Sequence, residues 1–382
     1  MDNKIRFHYI DFLRVIAILM MFIYHINMIF VAENDWHIKD NSSSNVLMEV
    51  NYWMSSFRMP LLFLVSGFIS TILLERFSKR NFVFQRFERL IIPTIIWTFI
   101  LVAPQIYFER KLEGSNFTYL QFYSTFLDFK WYPLGNFHWL HLWFVPYLFF
   151  YNILSIPLIS YLNKEKIHKR LEFFFEKNYS ILLIVIIAIL PYTFLATRFP
   201  TTHDLINDWG RHSFFIFFVF VGVLLFKFQQ ILEHLEDKRR FYLRLSVLSI
   251  ITINVIRWNG LEPFQIWENW IEKPQTYIYI AILNFNSWLW VFTSLGYGRK
   301  YLNKKSKILS YCNQAVYPFY ILHQTVIVVL AYYVVQTPDN TAFKYVFLLI
   351  SCLLLTILIY HLFIRPYNPI RKIFGMKKTQ KK

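Results

Sequence analysis

Cysteine is nearly absent from the 382 residues: Cys312 and Cys352 both lie in apolar segments. Neither a disulfide framework nor a cysteine-based metal site can be built from them. Internal repeats are missing too, which weighs against transporter folds assembled from repeated halves. No polar stretch between apolar runs leaves room for a soluble domain. A cleavable signal is also lacking. Lys4 and Arg6 resemble its basic start, but the run that follows is too long, is interrupted by charge and has no small-residue cleavage site. That run is expected to stay as the first span. Acidic residues are the minority charge, 23 against 40 Lys and Arg, for a formal net charge of +17. The excess does not suit nucleic acid, because the basic residues come in short clusters between apolar runs rather than along one polar face or tail.

What the chain has is apolar and aromatic: 56% hydrophobic residues, with 42 Phe, 25 Tyr and 12 Trp. Apolar runs of about 20 residues signal membrane spans. Ten are predicted, at roughly 9–32, 47–74, 86–108, 139–161, 179–197, 212–228, 241–257, 276–297, 308–335 and 342–364. The expected fold is all-α: a polytopic membrane protein with about ten transmembrane helices in one bundle, residues 1–370, followed by a basic tail, residues 371–382. Lys and Arg alternate along it. With the N-terminus inside, Lys4 and Arg6, then clusters at 76–89, 164–177, 227–244, 299–307 and 365–382 (the last including Lys381 and Lys382) fall on the inner side. Every inner segment outnumbers its outer neighbours, so both termini are expected in the cytoplasm of a multi-pass plasma (inner) membrane protein.

The first span carries Asp11, Arg14 and His25 on one face. An ionisable group at membrane depth costs at least about 2.5–3.5 kcal/mol on insertion scales and usually has a use. His323, with Tyr320 one turn before it and Gln324 after it, is a second such histidine, expected near mid-membrane. Two such costs on separate helices point to a shared polar chamber. Arg58 sits at the outer half of the second span beside Pro60, either snorkelling to the interface or lining the chamber's mouth. Arg86 and Arg89, one turn apart, suit a phosphate-bearing ligand but also fit ordinary positive-inside decoration, with Glu88 as a local partner. His138 and His141, beside Trp139 and Trp143, open the fourth span. An aromatic interfacial belt, stacking of a sugar ring, or a metal are the readings open there, and no third ligand is nearby for the metal.

These residues fall into a pattern. YIDFLRVIAILMMFIYH at 9–25, FRMPLLFLVSGF at 57–68, RFERLIIP at 86–93, HLWFVPYL at 141–148 and YPFYILHQTVIVV at 317–329 resemble the integral-membrane acyltransferase type 3 family. The first and third are similar to that family's arginine-to-histidine helix and paired-arginine motif. The second and last look most like the branch containing the succinyl-transferring enzyme of osmoregulated periplasmic glucans. The resemblance covers most of the chain. It implies a ten-helix bundle and an acyl-coenzyme A donor, acetyl-CoA or succinyl-CoA, entering from the cytoplasm. The implied acceptor is a hydroxyl of an extracytoplasmic glycan. It carries a catalytic role onto His25 and donor binding onto Arg14, Arg86 and Arg89. Glu88 between the paired arginines partly neutralises them. Many relatives add an extracytoplasmic esterase-like domain; here the sequence ends soon after its last span, so all chemistry is expected in the bundle.

The resulting expectation is an O-acyltransferase with His25 as general base and His323 as a second catalytic group. Arg58, His141, Trp143 and Tyr320 are expected on the acceptor side. The partners expected are acyl-CoA, a glycan and membrane lipid, with no nucleic acid and no metal. Asp11 is expected to pair with Arg14. A proton-coupled secondary transporter relaying through His25 and His323 is the alternative.

Overall fold

A computed structural model of the chain describes residues 7–32, 36–177 and 179–379. Lys4, Arg6, Lys381 and Lys382 lie outside the described residues. Among those described there is no β-strand, and nine helices are long and apolar enough to cross a membrane. They are His8–Met28, Asn45–Leu74, Lys79–Leu112, Leu140–Leu162, Trp209–Lys227, Arg239–Ile266, Pro274–Tyr301, Lys307–Val334 and Thr341–Ile364. A bent pair, Glu165–Phe175 and Ser180–Leu195, makes a tenth if counted as one span. The protein is therefore a helical, multi-pass membrane protein. The spans are numbered one to ten below, the bent pair being the fifth.

The helices pack as two compact units. The first holds the chain up to Ala17, Ser55–Phe82 and Phe150–Leu309. Here the second and sixth spans touch backbone to backbone. A Cβ on Gly67 would lie 2.0 Å from the Val219 carbonyl oxygen, and one on Gly222 would lie 2.0 Å from that of Leu64. Only glycine permits this approach, as is usual where helices meet in lipid. Polar side chains clasp the neighbours. Ser66 and Ser70 donate to Asn152 Oδ1 at 2.9 and 2.7 Å, and Ser249 of the seventh span donates to Asn286 of the eighth at 2.7 Å.

The second unit holds Ile18–Met54, Val83–Phe149 and the chain from Ser310. The third span governs its geometry. It contains two wide π turns, Phe87–Ile91 and Thr98–Val102, each followed two residues later by a proline, Pro93 and Pro104. Proline has no N–H to offer the carbonyl four residues back. The wide turn shifts the register instead, as in the bond from Ile92 N–H to the Phe87 carbonyl. Beyond the tenth span the chain stays docked. Trp97 Nε1 donates to the Ile373 carbonyl at 2.9 Å and its ring meets Phe374 at 4.1 Å. Gly375, at φ +66°, leaves no space for a Cβ against the Arg89 carbonyl oxygen, 2.4 Å away. Arg371 is buried, and donates to the carbonyls of Lys377 and Arg365 at 2.9 and 3.1 Å.

Candidate active site

The second unit brings His25 and His323 together. Their rings lie parallel, and His25 Nδ1 is 3.0 Å from His323 Nε2. The other nitrogen of His323, Nδ1, is 2.6 Å from the Tyr320 carbonyl oxygen. A carbonyl only accepts, so His323 Nδ1 carries the hydrogen. In the neutral ring Nε2 then accepts, and His25 Nδ1 donates to it. That chain leaves the lone pair of His25 on Nε2. The position of His25 differs from the sequence expectation. The first helix ends at Met28 rather than near Ala32, so His25 falls in its last turn instead of mid-span. The chain bends there because Asn27 pairs with Asn51 at 2.9 Å, and Ile29, Phe30 and Val31 then turn inward into the core.

His141 joins this pair. Its Nε2 is 3.2 Å from the Ile321 carbonyl, and its ring stands edge-on to His323 with centroids 5.5 Å apart. Tyr320 returns the contact by donating its hydroxyl to the His141 carbonyl. The two helices are thus stitched across their backbones, and the Tyr320 hydroxyl is committed to that stitch. His138 takes no part in it: its Nδ1 accepts from the Leu140 N–H at 2.8 Å. The pair spaced i and i+3 diverges because the helix starts only at Leu140, with a tight turn over Leu140–Trp143. Trp143 packs edge-on against Tyr147 at 5.1 Å.

A second cluster was missed by sequence reasoning. His37 Nδ1 is bonded to Glu109 Oε2, with side chains 7% and 8% exposed. Tyr132 donates to the other carboxylate oxygen, Glu109 Oε1, at 2.7 Å. Burial, and then the neighbouring Glu109 charge, push the Tyr132 phenol well above its ordinary range, so it stays a donor. His37 Nε2 faces Gln324 Nε2 at 3.2 Å, and Gln324 is the residue after His323. Trp36 lies over the His25 ring, with centroids 6.2 Å apart. Within the π turn at Thr98–Val102, the Leu101 carbonyl takes bonds from both the Gln105 carboxamide and the Thr325 hydroxyl, at 3.0 and 2.7 Å, which ties the Gln105–Glu109 face to the ninth span. Nothing local in the sequence marks the cluster. His37 is a loop residue, and Glu109 precedes the Arg110–Lys111 pair at a helix end, where charges are ordinarily solvated.

The expected arginines are placed as follows. Arg86 and Arg89 stand at the opening of the third span, half-buried, with Arg89 inside the first π turn. Glu109 lies near the other end of that span, about 35 Å of helix away. Arg14 and Arg58 belong to the first unit. Arg14 Nη2 is 3.5 Å from Asp11 Oδ1, the pairing expected from sequence, and Arg58 is buried. Among the described residues no group of three or more His, Cys, Asp or Glu is arranged to hold a metal ion.

Comparison with known proteins fits this picture. A family described as "Acyltransferase domain" matches residues 7–361. The chain is also similar to proteins named glucans biosynthesis protein C from Salmonella typhi, Salmonella typhimurium and Salmonella paratyphi B. Each is 27% identical over 165 residues, which is 42% of this chain and 41% of the relative. The chain thus spans less than half the length of those relatives. No solved structure matches it. The family match runs through nearly every span, and the chain belongs to this acyltransferase family.

Proposed function

We propose, from that membership, that the chain transfers an acyl group from acyl-CoA to a hydroxyl of an extracytoplasmic glycan, with His25 as general base. The observation that carries the assignment of the base is the chain of bonds from His25 Nδ1 through His323 to the Tyr320 carbonyl. It fixes one tautomer and gives His25 Nε2 the lone pair. The acceptor hydroxyl passes its proton to that nitrogen as its oxygen attacks the thioester carbonyl. His323 Nε2, still accepting from His25 Nδ1–H, stabilises the imidazolium that forms. The carbon–sulfur bond then breaks, the thiolate leaves with the electron pair, and the imidazolium returns the proton to sulfur. General-base assistance of this kind is worth about 10²–10⁴-fold, and a fixed geometry supplies much of the rest.

Arg86 and Arg89 are assigned to the phosphates of the coenzyme, acetyl-CoA or succinyl-CoA, at the cytoplasmic face. A donor-binding role for Arg14 is a separate proposal, resting on its place in the arginine-to-histidine helix. The protein is placed in the inner membrane with both termini in the cytoplasm. The glycan acceptor is favoured by the printed name of the relatives. Membership of an acyltransferase family supports the transferase reading over the transporter alternative.

The test is mass spectrometry of envelope glycans from cells with the gene, without it, and with His25→Ala at equal protein level. An acyl mass increment that needs both the gene and His25 is the expected outcome and names the acyl group. An increment that survives His25→Ala removes the assignment of the base. No increment on any glycan removes the acceptor class.

A further inference from the structure

The cluster built on His37 and Glu109 is not needed by the mechanism above, yet it is among the most tightly built polar groups of the second unit. Burying a carboxylate is costly unless it is paired and hydrogen-bonded. Glu109 is both, since His37 occupies Oε2 and Tyr132 occupies Oε1. Its oxygens are therefore spent on orientation. With its hydrogen on Nδ1, toward the carboxylate, His37 turns Nε2 toward Gln324, whose amide N–H donates to it. The carboxamide of Gln324 is buried, and its Oε1 has no hydrogen-bond partner. A buried acceptor left unmatched is costly, and it marks a place where a donor is missing.

Three further facts say what would fill it. The cluster lies at the end of the third span opposite Arg86 and Arg89, so it faces away from the proposed donor phosphates. Gln324 follows His323 directly, and Trp36 lies over His25 and beside His37, with centroids 6.2 and 5.5 Å apart. The cluster therefore adjoins the proposed base. The Arg110 guanidinium, 5.6 Å from the Tyr132 ring, is engaged by Asn136 Oδ1, Glu113 Oε2 and the Pro133 carbonyl, at 3.1, 2.9 and 2.7 Å. Among the described residues, what the cluster offers a ligand is hydrogen-bonding capacity beside an aromatic ring, which suits a polyhydroxylated and uncharged molecule.

We infer that His37, oriented by Glu109, and Gln324 form the acceptor subsite, and that the acceptor is a neutral sugar held by its hydroxyls. One hydroxyl donates to Gln324 Oε1, while the Gln324 amide N–H that does not bond His37 Nε2 donates to its neighbour. The attacking hydroxyl is thereby set beside His25 Nε2. Gln324 binds the acceptor, and His37, Glu109 and Tyr132 are positioning residues that act through it. This deepens the transferase reading and rests on it for its catalytic consequence.

The test uses the full-length protein in lipid nanodiscs, with a neutral gluco-oligosaccharide as probe. Calorimetry without donor measures sugar binding, and transfer assays with acyl-CoA measure the acceptor KM and kcat. His37→Gln, Gln324→Ala and Glu109→Gln are compared with wild type at matched thermal stability. Each is expected to raise the acceptor KM and the calorimetric Kd by about tenfold or more, the loss expected for a hydrogen bond to a buried partner, with a smaller fall in kcat. Wild-type protein that transfers, with KM and Kd unmoved in the variants that fold, overturns the subsite and leaves the transferase reading intact. Binding that is lost in the variants, while wild type shows no transfer, upholds the subsite and overturns the transferase reading. Wild-type protein that neither binds nor acylates the oligosaccharide overturns the assignment of a neutral sugar.

Discussion

Two residues separated by nearly the whole chain, His25 and His323, meet through one hydrogen bond, and their roles are not symmetric. His25 holds the reactive lone pair, whereas His323 holds the tautomer. His25→Ala is expected to abolish acyl transfer. His323→Ala is expected to lower kcat by about 10²-fold, within the range of general-base effects. His323→Gln is expected to recover part of that, because its side-chain oxygen can accept from His25 Nδ1–H. Transfer rates of the three variants at equal expression check this, and equal rates for His323→Ala and wild type would remove the orienting role. This pair was legible in the sequence because each histidine interrupts an apolar helix and carries a cost that asks for a reason. His37 and Glu109 were not legible. Each lies at a helix end or in a loop, where a charge costs little, and their partnership spans 72 positions that no local pattern links.

At the scale of the helix, what matters is where regular geometry fails. The apolar runs located most spans to within a few residues, though the third begins at Lys79 rather than 86 and the seventh ends at Ile266 rather than 257. They could not show that Pro93 and Pro104 are absorbed by π turns rather than by kinks, and those turns decide which face the third span presents. Pro104→Ala restores the missing N–H donor and favours a regular turn at Thr98–Val102. The Gln105–Glu109 face should then rotate off the ninth span. The expected outcome is a lower Tm and a raised acceptor KM, and an unchanged KM would detach the π turn from the site. Arg86→Ala with Arg89→Ala, at the far end of the same helix, should instead raise the KM for acyl-CoA. In the first unit, Gly222→Val forces a side chain into a contact that already excludes a Cβ. Overpacking of this kind costs about 1–3 kcal/mol, readable as a fall in Tm in detergent.

The molecule as a whole poses a question that helix length does not answer: whether Ser180–Leu195 crosses the membrane. Its 16 residues reach about 24 Å, short of a hydrocarbon core of about 30 Å. Charge resolves it. If this helix did not cross, every later segment would change sides. The clusters Lys238–Arg240 and Lys304–Lys307 would then face outward, and Arg257 and Lys273 inward, inverting the positive-inside bias for the second half of the chain only. Ten crossings keep one bias from end to end. In the proposed orientation, ten crossings would put Arg86 and Arg89 on the cytoplasmic side with the docked segment at Gly375, and the His37–Glu109 cluster on the opposite side. The prediction is made with Cys312→Ser and Cys352→Ala as background, adding either Lys130→Cys or Lys305→Cys at exposed positions. An impermeant maleimide should label the first in intact cells and the second only after permeabilisation. Labelling of both in intact cells would mean nine crossings. Labelling of the second alone would turn the whole protein over and put the proposed donor and acceptor ends on the wrong sides for a cytoplasmic thioester.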